Sequence, residues 1–343
     1  MSCEHRKKHI INHFERLLPT KSRRSDHTFF DHFNQLRYSP LITGENLIMR
    51  KVLQKLFLIP FELLPFTLAT AQDGLIAKGA RVVTESDGYI FLEGPASDKA
   101  GNLYFTDIDN NRIHMMTPDK KYSVKYEPSN HANGLFIDLD GDLLICEQSA
   151  GRITKMDKDG NVSVVIGSYK GIRFNSTNDV WVHPNGSLYF TDPYYTHPLS
   201  GTSQDGNHVY HLASDRTTIN RVVHDMVQPN GVIGTEDGKT LYISDTTLNK
   251  TFSFTIMPDG GLSQKKVFAH QGSDGMTMDE RGNVYLTWNG GVSVYSPIGD
   301  KIEFIELPQE PANVTFGGIN KNILYMTART ALFSIKMNVK SSR

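Results

Sequence analysis

The chain is poor in cysteine, in charge of one sign and in long apolar runs, and each shortage closes off a class of function. Only Cys3 and Cys146 occur among 343 residues. They fall on opposite sides of a change in composition near residue 72, so no disulfide framework is available. Cys146 lies in the apolar stretch LLIC, where it reads as a small buried hydrophobe. The net charge of -1 supplies no basic stripe, so nucleic acid is not an expected partner. Residues 1–71 hold 11 Lys/Arg against 6 Asp/Glu and the rest hold 25 against 31, which leaves the globular part mildly acidic. The apolar run from Leu56 to Leu68 is shorter than the ~20 residues a membrane-spanning helix requires. Neither a G-x-S-x-G elbow nor a glycine-rich phosphate loop of the Walker kind is present.

Residues 1–48 are polar, rich in Arg and His, and show no repeat. They read as a poorly ordered extension or a mis-assigned start. From Met49 the sequence MRKVLQKLFLIPFELLPFTLATAQ combines a basic start (Arg50, Lys51, Lys55), the apolar run and Ala69-Thr70-Ala71. These are the three parts of a secretory signal peptide, although Pro60, Glu62 and Pro65 depart from the pattern. The expectation is a signal peptide at 49–71, export to the periplasm or beyond, and a mature domain at 72–343 with no stable membrane insertion. Without cleavage the protein would be cytoplasmic.

Beyond that point a skeleton recurs: a polar head residue, a short apolar strand, an Asp/Asn/Gly turn, and a second strand closing on a carboxylate. Its clearest copy is NSTNDVWVHPNGSLYFTDPYY, Asn175 to Tyr195. Six copies carry the heads Glu93, Asn133, Asn178, Asn230, Asp274 and Asn313. A repeat of roughly 40–50 residues built from short strands marks a β-propeller blade. The sequence therefore predicts an all-β, six-bladed β-propeller of four-stranded antiparallel blades. The last repeat is one strand short, and GARVVTE (Gly79 to Glu85) is expected to pair with it and close the ring. The third copy also inserts PYYTHPLSGTSQDGN, a loop long enough to carry binding groups.

Radial symmetry brings the six heads together around one end of the channel. Two carboxylates and four amides, with no Cys or His, suit a hard divalent cation, calcium foremost with magnesium or manganese as substitutes, and do not resemble a structural zinc site, although zinc stays a possible occupant. The alternative is that Asn133-Gly134, Asn230-Gly231 and Asp274-Gly275 are turn pairs repeated by duplication. A turn role gives no reason for Glu93 before Gly94-Pro95. His131, Tyr194, Tyr195 and His197 are candidate substrate contacts, as is Asn133, whereas a histidine satisfied within the fold is the ordinary reading of His131. Trp288 reads as core.

EGP with LYFTDI, HANGL, PNGV, TNDVWVHPNGSLYFTDP, SDGM, GGVSVYSP and NVTFGG together resemble the SMP-30/gluconolactonase family, its bacterial gluconolactonase branch most of all, over about residues 79–335. The resemblance implies a six-bladed propeller with a divalent metal at the tunnel mouth. The family's Glu, two Asn and Asp ligands fall on Glu93, Asn178, Asn230 and Asp274. The vertebrate branch has an Arg two residues before the ND asparagine, where this chain has Ser176, so its sugar selectivity does not carry over. The implied reaction is opening of a lactone, a sugar aldonolactone such as gluconolactone foremost, with the metal polarising the carbonyl and activating water. Asp274 is the implied general base or nucleophile. Two other readings share the site: an organophosphate or aryl-ester hydrolase, and a non-catalytic propeller holding a structural ion.

Overall fold

Residues 74–195 and 204–343 are described by a computed structural model. The expected extension, the signal peptide and His197 lie outside the described residues. Six four-stranded antiparallel sheets follow one another in chain order. Blade 1 runs Leu92–Ser97, Leu103–Asp107, Arg112–Met116 and Tyr122–Tyr126, and blade 2 Ala132–Ile137, Leu143–Glu147, Arg152–Met156 and Val162–Ile166. Blade 3 is Val180–Val182, Leu188–Asp192, His208–Leu212 and Ile219–Val223. Blade 4 is Pro229–Gly234, Thr240–Asp245, Lys250–Ile256 and Leu262–Ala269. Blade 5 is Met276–Met278, Val284–Trp288, Gly291–Tyr295 and Lys301–Glu306. The first strand of each blade is innermost, and these six touch their neighbours all the way round.

Blade 6 takes only three strands from the end of the chain, Asn313–Gly317, Ile323–Ala328 and Ala331–Lys336. Its outer strand is Val83–Asp87, antiparallel to Ala331–Lys336. The ring is thus closed by an N-terminal strand, but one starting four residues later than GARVVTE suggests. The reason lies in Gly79, whose φ of +75° belongs to a turn in which the Ala80 N–H donates to Ala77 O. That turn breaks the extended backbone after Ile76 has bridged Met337.

Local chemistry accounts for the rest of the repeat. In the hairpin turns Asp98, Asp138, Asp157 and Asp279 each accept the backbone N–H groups two and four residues on, which holds the chain in a turn without help from the sheet. The closing carboxylates Asp107, Asp192 and Asp245 accept N–H groups of the segment entering their own inner strand, as in Asp192 with Asn175 and Ser176 at 2.9 and 2.8 Å. The apolar faces between blades form the core, where Trp181 of blade 3 lies fully buried against blade 4. A Cβ on Gly234 would sit 2.3 Å from its ring, closer than packed atoms approach. Cys146 is fully buried, as expected, and burial pushes its thiol well up.

Candidate active site

The six inner strands deliver their head residues to one end of the axis. In blades 1, 2 and 4 the pairing register slips between Glu93 and Ala96, between Ala132 and Leu135, and between Pro229 and Val232. A bulge re-aims a side chain out of the sheet face, and here the side chains at the slips are Glu93, Asn133 and Asn230. The glycines that follow several heads are not turn glycines. A Cβ on Gly134 would lie 2.3 Å from Asp179 Oδ1, and one on Gly275 1.9 Å from the Asn313 side chain. Glycine is required there because neighbouring blades converge, which replaces the turn-pair reading.

A second device ties four of the head segments to the blade before them. Thr106 donates its hydroxyl to Asn133 O at 3.1 Å, Thr191 to Asn230 O at 2.7 Å, Ser244 to Ser273 O at 2.6 Å and Thr287 to Ala312 O at 2.8 Å. All four occupy the next-to-last position of a second strand. In blade 2 that position is Cys146, and the Gly134 N–H bonds Asn178 O at 2.8 Å across the same seam. The ring is held by buried polar contacts between blades as well as by apolar packing.

A cavity of about 510 Å³ opens over the heads, and Glu93, Asn133, Asn178, Asn230, Asp274, His131 and Tyr195 all line it. Tyr194 is not among the residues that line it; its N–H bonds Asn207 Oδ1 at 2.5 Å. Asn313 sits deeper. Tyr195 reaches the centre, where its hydroxyl accepts from Asn230 Nδ2 at 2.9 Å and from Asn178 Nδ2 at 3.3 Å. Asn230 Nδ2 also donates to Asp274 Oδ1 at 2.8 Å. Trp288, expected in the core, lines the cavity. It stands where blades 1, 3 and 4 carry a capping aspartate, and without a backbone to cap, that position turns to the mouth.

One functional residue escapes the sequence reading. Asp179 is buried, and its carboxylate accepts from Asn313 Nδ2 at 3.3 and 3.4 Å across the axis, from blade 3 to the opposite blade 6. The available signal is that Asp179 follows its head where four other blades have glycine. Burial, then the charge of Asp274, pushes Asp179 up to about 8. Burial, then Asp274 and Asp179, pushes Glu93 well above the carboxylate range, and burial likewise raises Asp274. The Tyr195 phenol is raised by burial and by the same three carboxylates.

Three buried carboxylates, of which Glu93 and Asp179 are pushed up further by the charge of Asp274, form a place a divalent cation would neutralise. The donors are hard oxygens, and the buried Asn133 Oδ1 has no hydrogen-bond partner, so the residues fit such an ion. Among the described residues no group of three or more His, Cys, Asp or Glu side chains is arranged to hold a metal. The fit therefore rests on amide oxygens beside two carboxylates. Asn178 and Asn230 can present those oxygens by a half-turn about the last side-chain bond, Asn178 giving up Tyr195 and Asn230 giving up both Tyr195 and Asp274.

Comparison with known proteins agrees with this architecture. The family model described as SMP-30/gluconolactonase/LRE-like region matches residues 91–330. A gluconolactonase of Zymomonas mobilis is 30% identical over 259 residues, 66% of this chain and 72% of its own. A Staphylococcus saprophyticus lactonase, Drp35, is 30% identical over 234 residues, covering 63% and 70%. The solved structure of a gluconolactonase from Xanthomonas campestris superposes with a TM-score of 0.72 at 28% identity, over 77% of this chain and 91% of that one. The chain belongs to the SMP-30/gluconolactonase/LRE-like family.

Proposed function

We propose that this protein is a divalent-cation-dependent hydrolase that opens a lactone ring at the mouth of its central tunnel, with a sugar aldonolactone such as gluconolactone as substrate. The observation that carries the reading is the meeting of Glu93, Asn178, Asn230 and Asp274 on one cavity wall, in a family whose relatives carry the names gluconolactonase and lactonase. These four residues would hold the cation, calcium by the hardness of its donors. When bound, it supplies positive charge that polarises a carbonyl oxygen.

The chain's own groups do the rest. Asp274 faces the cavity with a raised proton affinity, which suits a carboxylate that takes a proton from attacking water. Asn230 lies beside it, its Nδ2 donating to Asp274 Oδ1 at 2.8 Å until the amide turns its oxygen to the cation. Glu93 balances charge. The Tyr195 hydroxyl bonds both amides of the cation-free site, while Asp179 and Asn313 bridge the axis. The basic, apolar and A-x-A segment at 49–71 supports export of this activity.

Rates measured on gluconolactone, an aryl ester and a phosphotriester, before and after chelation and again after calcium is restored, test the reading. Lactone opening that is lost on chelation and regained with calcium is expected. Activity confined to the phosphotriester or aryl ester would move the site to another electrophile, and no hydrolysis of any of the three would leave an ion-binding propeller without catalysis.

A further inference from the structure

One corner of blade 2 is built on left-handed backbone held by a set of side-chain hydrogen bonds. Asn130 and His131 are consecutive residues with φ of +56° and +51°, and Asn111, which holds them, has +58°. The left-handed region is unfavourable for a histidine, and backbone held there by over-determined contacts clusters at functional sites. The contacts are all present. Asn111 Oδ1 accepts the His131 N–H at 2.7 Å, Asn130 Nδ2 donates to Glu147 Oε2 at 2.9 Å, and the Ser149 N–H donates to Asn130 O at 3.1 Å. Ser149 Oγ then meets His131 Nδ1 at 2.8 Å, and an Arg173 guanidinium N–H donates to Ser149 O. With Nδ1 tied to Ser149 the imidazole cannot swing.

The product of this corner is a fixed imidazole on the cavity wall, beside Gln148. Blade 5 stands three places round a six-membered ring, so the wall opposite presents the indole of Trp288. One side of the cavity offers hydrogen bonds and the other an aromatic face, an arrangement suited to a saturated ring with hydroxyls on its rim and C–H groups on its face.

We propose that His131, positioned by Ser149, is a specificity-determining residue that recognises the ring hydroxyls of a polyhydroxylated lactone. This inference rests on the lactone-hydrolase reading and adds to it the residue that selects among lactones. It requires no step from His131 in the chemistry, which stays with Asp274.

The test compares gluconolactone with δ-valerolactone, which has the same six-membered ring and no hydroxyls, on the cation-loaded protein. His131→Asn and His131→Gly are the informative variants, because asparagine and glycine accept the backbone that His131 strains to adopt. For both, KM for gluconolactone should rise with kcat retained, so that selectivity for gluconolactone over δ-valerolactone falls about tenfold, as loss of a substrate hydrogen bond implies. Their melting temperature should not drop. Ser149→Ala should lose part of the selectivity and Ser149→Thr restore it. Equal losses on both substrates, or unchanged KM for gluconolactone, would overturn the role of His131 while leaving lactone hydrolysis standing. A histidine that is merely structural would show itself as a lower melting temperature with selectivity intact. Wild-type protein that opens neither lactone would remove the underlying reading instead.

Discussion

Replacing Thr191 by valine tests whether the blades are latched through their head residues. The side chain is fully buried and keeps its shape in the substitution, so no cavity opens. What is lost is a hydroxyl that donates to Asn230 O at 2.7 Å and accepts from the Asp179 N–H at 3.1 Å. A buried polar group deprived of its partner costs about 1–3 kcal/mol, and two are stranded here. Roughly 3 kcal/mol in a domain of this size lowers the melting temperature by about 6–12 °C. Differential scanning calorimetry on Thr191→Val reads this directly, with Thr117→Val as the control, since Thr117 makes its bonds at the surface. The variant should also gain less stability from added calcium, because the lost hydroxyl positions both Asn230 and the segment carrying Asn178. A melting temperature within about 1 °C of the parent, well under 1 kcal/mol by the same conversion, would refute the latch.

Three further outcomes are expected. Burial holds the Asp179 carboxyl at about 8 against an ordinary 3.8, so its contribution to stability is complete below pH ~4 and is lost as pH rises through 8. Chelated protein should accordingly melt at lower temperature at pH 8 than at pH 5, with a smaller slope in Asp179→Asn; a chelated wild type that grows more stable over that interval would contradict the assignment. Deleting residues 74–87 removes the strand that completes blade 6 and should abolish cooperative unfolding, whereas a shortened chain that melts normally would show that the ring closes without it. Amino-terminal sequencing of protein from its native host should find a start near Gln72, and a mature start upstream of Met49 would remove the signal peptide.

The features legible in the sequence are those that repetition enforces. Glu93, Asn133, Asn178, Asn230, Asp274 and Asn313 could be aligned because most blades spend the same residues on the same tasks, a hydroxyl for the neighbouring blade in blades 1, 3, 4 and 5 and a carboxylate for the entering backbone in blades 1, 3 and 4. Departures from the repeat were legible only as departures. Trp288 stands where other blades carry an acidic cap, and nothing local says that it therefore turns into the cavity. Asp179 interrupts a row of glycines, yet its partner Asn313 lies 134 residues away, across the axis. The meeting of His131 with Ser149 depends on left-handed backbone at Asn130 and His131, for which the residue types alone carry only a weak signal. Gly79 shifted the closing strand because its turn is stabilised by Ile76 and Met337, again a contact between the two ends of the described chain.

The central claim is that this ring of heads opens a lactone with Asp274 at its chemical centre, and it is met most directly by gluconolactone hydrolysis measured for wild-type and Asp274→Asn side by side in calcium. Loss of a proton-accepting group costs on the order of 10²–10⁴ in rate. The account predicts clear wild-type turnover above the spontaneous rate and a loss of that size in the variant, with its unfolding transition preserved. Equal turnover by the two proteins would contradict it.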